Sequence, residues 1–224
     1  MKKPTQITSD IFQIGGSGES APQDASIYLI KDGNKSAIID AGSGVGSKAV
    51  IENIKLCGLE PSDIAYMFIT HCHFDHTGGI NSLREATGAK VVMHKEDAVF
   101  VSSGDKQVTG AEWYGGHIDP TPVDIIVNEK KKDFALNKLN VTIYHIPGHS
   151  PGSAVFTVTS DGQLVLFGQD VHGPINEIIL LSNRPEYEKS LEFLISLNAD
   201  ILCEGHFGIY FGKEKVREFI KSFL

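Results

Sequence analysis

Along the first third of the chain, apolar residues fall in short runs cut by turn residues. Ile11-Phe12-Gln13-Ile14, Ala25 to Lys31 and Lys35 to Asp40 read as β-strands, and Asp32-Gly33-Asn34 between the last two is a hairpin turn signal. After the Gly-rich stretch Ala41 to Gly46 the period becomes helical. Val50, Ile51, Ile54 and Leu56 then form one apolar face, with Cys57-Gly58 near its end. Pro61 restarts the chain into a strand over Ile64 to Thr70. A helix pattern over Ile80 to Ala86 closes at Gly88, a strand covers Lys90 to Met93, and a helix covers Lys95 to Ser102.

From Gly104 to Pro122 the pattern is lost. This segment holds Trp113, Tyr114 and His117, and a long irregular stretch with aromatics predicts a lid or binding loop. Strand patterns return over Val123 to Val127, Lys132 to Leu136, Leu139 to Ile146, Ala154 to Thr159 and Gln163 to Gly168. A helix over Glu186 to Leu197, a strand over Asp200 to Cys203 and an amphipathic helix over Lys213 to Leu224 complete the chain. The order predicts an α/β fold in which two sheets pack face to face with helices outside. There is no internal repeat.

At 224 residues the chain suits one domain, 1–224, large enough to form a core without disulfides. Cys57, Cys72 and Cys203 are odd in number and show no Cys-x-x-Cys spacing, which predicts reduced thiols. The net charge of −8 argues against nucleic acid as a partner, and Lys130-Lys131-Lys132 reads as a solvated turn. MKKPTQITSD has no apolar segment behind its lysines, and no run approaches a membrane span. The expectation is a cytoplasmic protein that takes a small-molecule substrate and binds no membrane. A homodimer stays open.

The chemistry is concentrated in Thr70-His71-Cys72-His73-Phe74-Asp75-His76-Thr77-Gly78-Gly79. Three of the nine histidines and one aspartate stand within six positions, directly after an apolar strand. Imidazoles and a carboxylate on a rigid strand end suit a borderline-soft divalent metal. His149, Asp170 and His206 each follow another apolar strand beside glycine, so ligands converge at strand ends. Cys72, between two of these residues, and Cys203 read as packing residues. His172 faces substrate or is structural. His117, with Trp113 and Tyr114, is a candidate for the pocket mouth, while His94 and His145 read as structural or surface residues.

These motifs together resemble the metallo-β-lactamase superfamily. Asp40 in Ile38-Ile39-Asp40-Ala41-Gly42 matches its first motif and the His71 to His76 cluster its second. His149 in Pro147-Gly148-His149-Ser150-Pro151-Gly152-Ser153, Asp170 and His206 match the third, fourth and fifth. The resemblance implies a four-layer αββα sandwich of two mixed β-sheets and two divalent metal ions, zinc first, with iron or manganese as alternatives. It assigns one ion to His71, His73 and His149, a second to Asp75, His76 and His206, and Asp170 as the bridge, with Asp40 behind the ligands. Asp75 would also orient a metal-bridging hydroxide or accept its proton, so Asp75, Asp170 and His172 are the catalytic candidates.

Asp170 at the bridging position speaks against true β-lactamases, and His73 against flavodiiron oxygen reductases. Glyoxalase-type hydrolases share the Pro-Gly-His-Ser-Pro-Gly run, but the short stretch after His206 has no room for a glutathione-binding module. Acyl-homoserine lactonases are similar in the His-Phe-Asp-His wording. The implied function is a dinuclear metallo-hydrolase acting on a small ester, thioester, lactone or phosphoester. The alternatives are a mononuclear iron oxidoreductase similar to persulfide dioxygenases, and a metal-binding protein without turnover.

Overall fold

The computed structural model describes residues 3–168 and 170–224. Its strands form two mixed sheets. The first runs in chain order through β1 (Thr5–Gln6), β2 (Ile11–Gly15), β3 (Ile27–Ile30), β4 (Ser36–Ile39), β5 (Ile64–Phe68), β6 (Lys90–His94) and β7 (Ile125–Val127). Pairing is antiparallel from β1 to β4 and parallel from β4 to β7. The second holds β8 (Lys131–Ala135), β9 (Asn140–His145), β10 (Ala154–Ser160), β11 (Gln163–Phe167), β12 (Ile201–Cys203) and β13 (Ile209–Phe211). Only its β11–β12 pair is parallel.

Parallel neighbours need long crossovers, and helices supply them. α1 (Ser47–Leu56) joins β4 to β5. The one-turn α2 (Phe74–Thr77) and α3 (Ile80–Thr87) lie between β5 and β6, and α4 (Lys95–Ser103) between β6 and β7. α5 (Arg184–Ser196) precedes β12, and α6 (Lys213–Lys221) ends the chain.

Strand alternation sorts the core into three layers. Ile38, Met67 and Val91 face α1, α3 and α4, meeting Val50, Ile54 and Leu83. Their neighbours Ile39, Phe68 and Val92 face the second sheet and meet Val141, Phe156 and Phe167. The Phe68 and Phe156 rings lie 5.3 Å apart across the two sheets. Val155, Leu166 and Leu202 point outward against Tyr187, Leu191 and Leu194 of α5 and Val216 and Ile220 of α6. The result is the predicted αββα sandwich.

Several local readings change. Leu56 is 65% exposed. It stands two residues, about 200° of helix, beyond the buried Ile54, so it cannot share that face. The short strands β1 and β13 carry too few residues for their period to show. The strand predicted from Val123 starts at Ile125, and the strand predicted from Lys132 opens one residue earlier, at Lys131, within the lysine run that also read as a solvated turn. The 104–122 segment is irregular as predicted, apart from one 3₁₀ turn over Ala111–Tyr114.

Candidate metal centre

The cluster after β5 changes conformation partway along. His71 to His73 is non-helical with a bend at Cys72, and His73 is extended; His71 and His73 point together while Cys72 turns into the core. α2 then carries Asp75 and His76 elsewhere. The backbone pins this helical turn from three directions. Phe74 N–H donates to the Thr109 carbonyl (2.8 Å), Ala25 N–H to that of Asp75 (3.1 Å) and Ala41 N–H to that of His76 (2.8 Å). From the second sheet, Ala154 N–H donates to the Thr70 carbonyl at 2.8 Å. His149 is presented by Gly148 at φ +135°, where a Cβ would lie 2.2 Å from the backbone nitrogen of Tyr187.

Two groups of donors result. His71 Nε2, His73 Nδ1 and His149 Nε2 stand 3.0–3.2 Å from one another. Beside them, His206 Nε2 lies 3.2 Å from Asp75 Oδ2, and His76 Nε2 lies 3.9 Å from the same oxygen. Asp170 stands between the groups. Its Oδ2 is 3.6 Å from His149 Nε2 and 3.9 Å from His71 Nε2, and its Oδ1 is 3.1 Å from His76 Nε2 and 3.3 Å from His206 Nε2.

The hydrogen bonds behind these rings dictate their tautomers. Asp40 accepts the N–H of Thr70 (2.8 Å), its hydroxyl (2.8 Å) and Nδ1–H of His76 (2.8 Å). With its proton given to Asp40, the Thr70 oxygen accepts Nδ1–H of His71 at 3.0 Å. His149 Nδ1–H donates to the Pro174 carbonyl at 2.9 Å. His71 and His149 therefore each aim an Nε2 lone pair inward, as metal-binding imidazoles do, and His76 turns its Nε2 to the same side. Asp40 itself sits at φ +63°, a left-handed conformation that aspartate tolerates.

Electrostatics separates the groups. Burial and the adjacent His76 hold His71 well below the ordinary imidazole range, burial pushes His73 down to about 3, and burial lowers His149. This first group is a set of neutral lone pairs. Burial opposes protonation in the second group too, but Asp170, Asp40 and Asp75 outweigh it at His76 and raise that ring well above its usual value. The Asp170 and Asp75 carboxylates beside it likewise overcome burial and lift His206 to about 10. Aspartates thus make the second group a cage for positive charge. Converging imidazole lone pairs cannot satisfy one another, and His76 Nε2 and Asp170 Oδ1 stand 3.1 Å apart, buried, without the geometry of a hydrogen bond. Both observations fit divalent ions held by these residues.

The opening above them is a cavity of about 210 Å³. His73, Asp75, Asp170 and His206 form its floor, Trp113, Tyr114, Leu180 and Pro174 wall it, and His172 borders it. His172 donates from Nδ1 to Glu204 Oε1 at 2.8 Å, and the other oxygen of this fully buried carboxylate accepts the N–H groups of His206 and Phe207, each at 2.7 Å. His117 is not in the wall. It pairs with Asp119 at 2.9 Å and is well exposed. His94 and His145 are structural, stacked at 3.7 Å.

Sequence reading missed two residues. Glu204 lies two positions before His206 and could have been flagged by that proximity. Asp97, in the first turn of α4, reads locally as an ordinary helix-dipole partner, yet it is fully buried beneath the histidine loops.

The family model described as the metallo-beta-lactamase superfamily matches residues 21–206. The chain is 27% identical to an acyl-coenzyme A thioesterase of Gallus gallus over 97% of this chain and 84% of that one. It is 28% identical to a hydroxyacylglutathione hydrolase of Albidiferax ferrireducens over 64% of this chain, a match spanning 46% of that protein's length. Among solved structures, a variant metallo-β-lactamase from Cronobacter sakazakii superposes with a TM-score of 0.82 at 21% identity, covering 99% of this chain and 94% of that one; at that identity it shows the fold. With the sandwich, the five strand-end motifs and the paired donor groups in place, the chain belongs to the metallo-β-lactamase superfamily and is a metallo-hydrolase.

Proposed function

We propose that the chain is a dinuclear hydrolase of acyl compounds, with esters and thioesters as the substrate class. The observation that carries this reading is Asp170, which turns one carboxylate oxygen to each donor group. His71, His73 and His149 would hold one ion, Asp75, His76 and His206 the other, and Asp170 would touch both. Two divalent ions supply a nucleophile at neutral pH and polarise a carbonyl oxygen.

The chain's own residues orient and enclose the substrate. Asp75, on the cavity floor, is placed to accept a hydrogen bond and hold a proton during attack. Glu204 fixes the His172 ring through Nδ1, which leaves Nε2 to meet the substrate's polar atoms. Trp113 and Leu180 exclude water from one side. No Lys or Arg is among the described lining residues, so a phosphoester's charge would find no basic side chain there. The thioesterase and hydroxyacylglutathione hydrolase named among the relatives add support for a thioester.

The test is elemental analysis of purified protein after reconstitution with zinc, iron or manganese, followed by a panel of esters, thioesters, lactones, phosphodiesters and persulfides. Two metals per chain with ester or thioester turnover is the expected result. A single iron with thiol-dependent oxygen uptake, or full metal loading without turnover of any substrate, would overturn it.

A further inference from the structure

We infer that the substrate carries a hydrocarbon chain, which leaves the metal-centre cavity and lies on an apolar collar around its mouth; the inference rests on the hydrolase reading above. The cavity of about 210 Å³ is small beside the roughly 300–1,000 Å³ of ordinary ligand pockets. A longer chain must therefore continue outside, and the rim is built for it. Of the twelve large apolar side chains exposed among the described residues, five stand on the three loops that border this opening. Trp113 (54% exposed) and Tyr114 (45%) come from the 104–122 segment, Ile178 (84%) and Leu181 (42%) from the loop that carries Leu180, and Phe207 (59%) from the turn after His206.

Packing relates these loops to one another. A Cβ on Gly110 would lie 3.6 Å from the Trp113 ring and 3.9 Å from Leu180, so lid and loop meet at that point. Phe207 packs edge-on against His172, which lines the opening, with ring centroids 4.6 Å apart. Scattered exposed apolar residues need no explanation, but Trp113 and Tyr114 line the reactive cavity and Phe207 packs on its His172, which marks a binding surface. A neighbouring cleft of about 290 Å³ shares Tyr114 and His206 with the cavity and is lined also by Ser17, Gln23, Asp24 and Ser26. The polar part of the substrate thus has its own place, and the collar is left to the hydrocarbon.

The chain's single tryptophan is Trp113, so intrinsic fluorescence reports on the collar directly. Titration of the metal-loaded protein with n-alkanols from butanol to decanol should give a saturable blue shift. Affinity should rise about two- to fourfold per methylene, as partial to full burial of each CH₂ implies. Ile178→Ser and Phe207→Ser should flatten that slope while metal content stays unchanged. In parallel, kcat/KM for p-nitrophenyl esters should climb with acyl length over the same range.

Acetyl ester turnover with no dependence on chain length, and no alkanol response, would remove the collar and leave the hydrolase reading standing. Chain-dependent alkanol binding with no hydrolysis of any ester would do the reverse. An emission shift with phosphatidylcholine vesicles but none with monomeric alkanols would also overturn the inference, because the collar would then be a surface for lipid.

Discussion

The backbone N–H of Cys72 and the hydroxyl of Ser150 donate to one and the same oxygen, Oδ2 of Asp97, at 2.8 and 2.6 Å. Oδ1 of Asp97 accepts Gly152 N–H at 2.6 Å. Cys72 lies between His71 and His73, and Ser150 follows His149. One buried carboxylate therefore sets the distance between histidines carried by different sheets. Asp97 is a positioning residue, and Asp97→Asn is expected to weaken metal binding about 10- to 100-fold, as loss of such support typically does. Asp97→Ala should in addition destabilise the metal-free fold by about 3–5 kcal/mol, since buried donors lose their acceptor. Chelator competition and urea unfolding measure the two effects. Unchanged metal affinity in a folded Asp97→Asn protein would remove this role.

Asp170→Asn tests the bridge. The amide keeps the shape but loses the charge that faces both groups, so on the proposed dinuclear reading metal content should fall from two ions toward one and turnover should disappear. His149→Ala should empty the first group selectively. A metal-replete Asp170→Asn protein with normal activity would exclude the shared-carboxylate arrangement.

Glu204→Gln separates orientation from folding. The amide oxygen still accepts the His206 and Phe207 N–H groups, but the amide nitrogen would face His172 Nδ1 and reverse that ring's tautomer. KM or kcat should worsen by about tenfold or more with metal stoichiometry intact, a cost in line with a misplaced polar group. Equal loss of metal and activity would instead assign Glu204 to the His206 turn alone.

The 104–122 segment is not a detachable lid. Its Thr109 carbonyl receives Phe74 N–H, and Ala111 and Ile118 bury Phe74, the first residue of the turn that bears Asp75. Trp113→Ala should therefore alter substrate preference with metal content preserved, whereas deleting the segment should lower metal content as well. Elemental analysis of the two variants side by side decides between these outcomes.

His94 gives a pH dependence apart from the metal centre. Burial, reinforced by His145, pushes its imidazole down to about 4, against about 6.5 when unfolded, and its Nδ1 has no hydrogen-bond partner. Between those values the unfolded chain binds the proton first. The stabilising contribution is thus complete above pH 6.5 and is lost as pH falls through 4. Compared with wild type, His94→Phe should lose less stability over that window in urea unfolding of metal-free protein. Parallel pH profiles for the two proteins would count against this assignment.

The strand ends and the residues on them were legible because each rests on a local pattern. An apolar run that stops at glycine places a ligand whatever the rest of the chain does. The alternation of β4, β5, β6 and β11 likewise follows from side chains pointing to opposite faces, which is a property of the strand alone. Other features have no local signal. The amphipathic pattern suggested Leu56 for the core, but helix geometry turned it to solvent. Asp97 looks like any acidic residue in a first helical turn until β6 and α4 bring it under Cys72 and Ser150.

The sequence by itself determined the donor set, its chemistry and the sandwich that holds it, since these depend on residue type and short spacing. The family resemblance implied how the donors divide, and tertiary structure supplies the physical reason. The change from non-helical chain at His71 and His73 to a helical turn at Asp75 and His76 splits one continuous motif between two groups, and the approach of the second sheet sets Asp170 between them. It also brought Trp113, Leu180 and His206 around a single opening from segments about twenty-five to ninety-five positions apart. Such proximity is created when the sheets pack, so no local pattern can encode it.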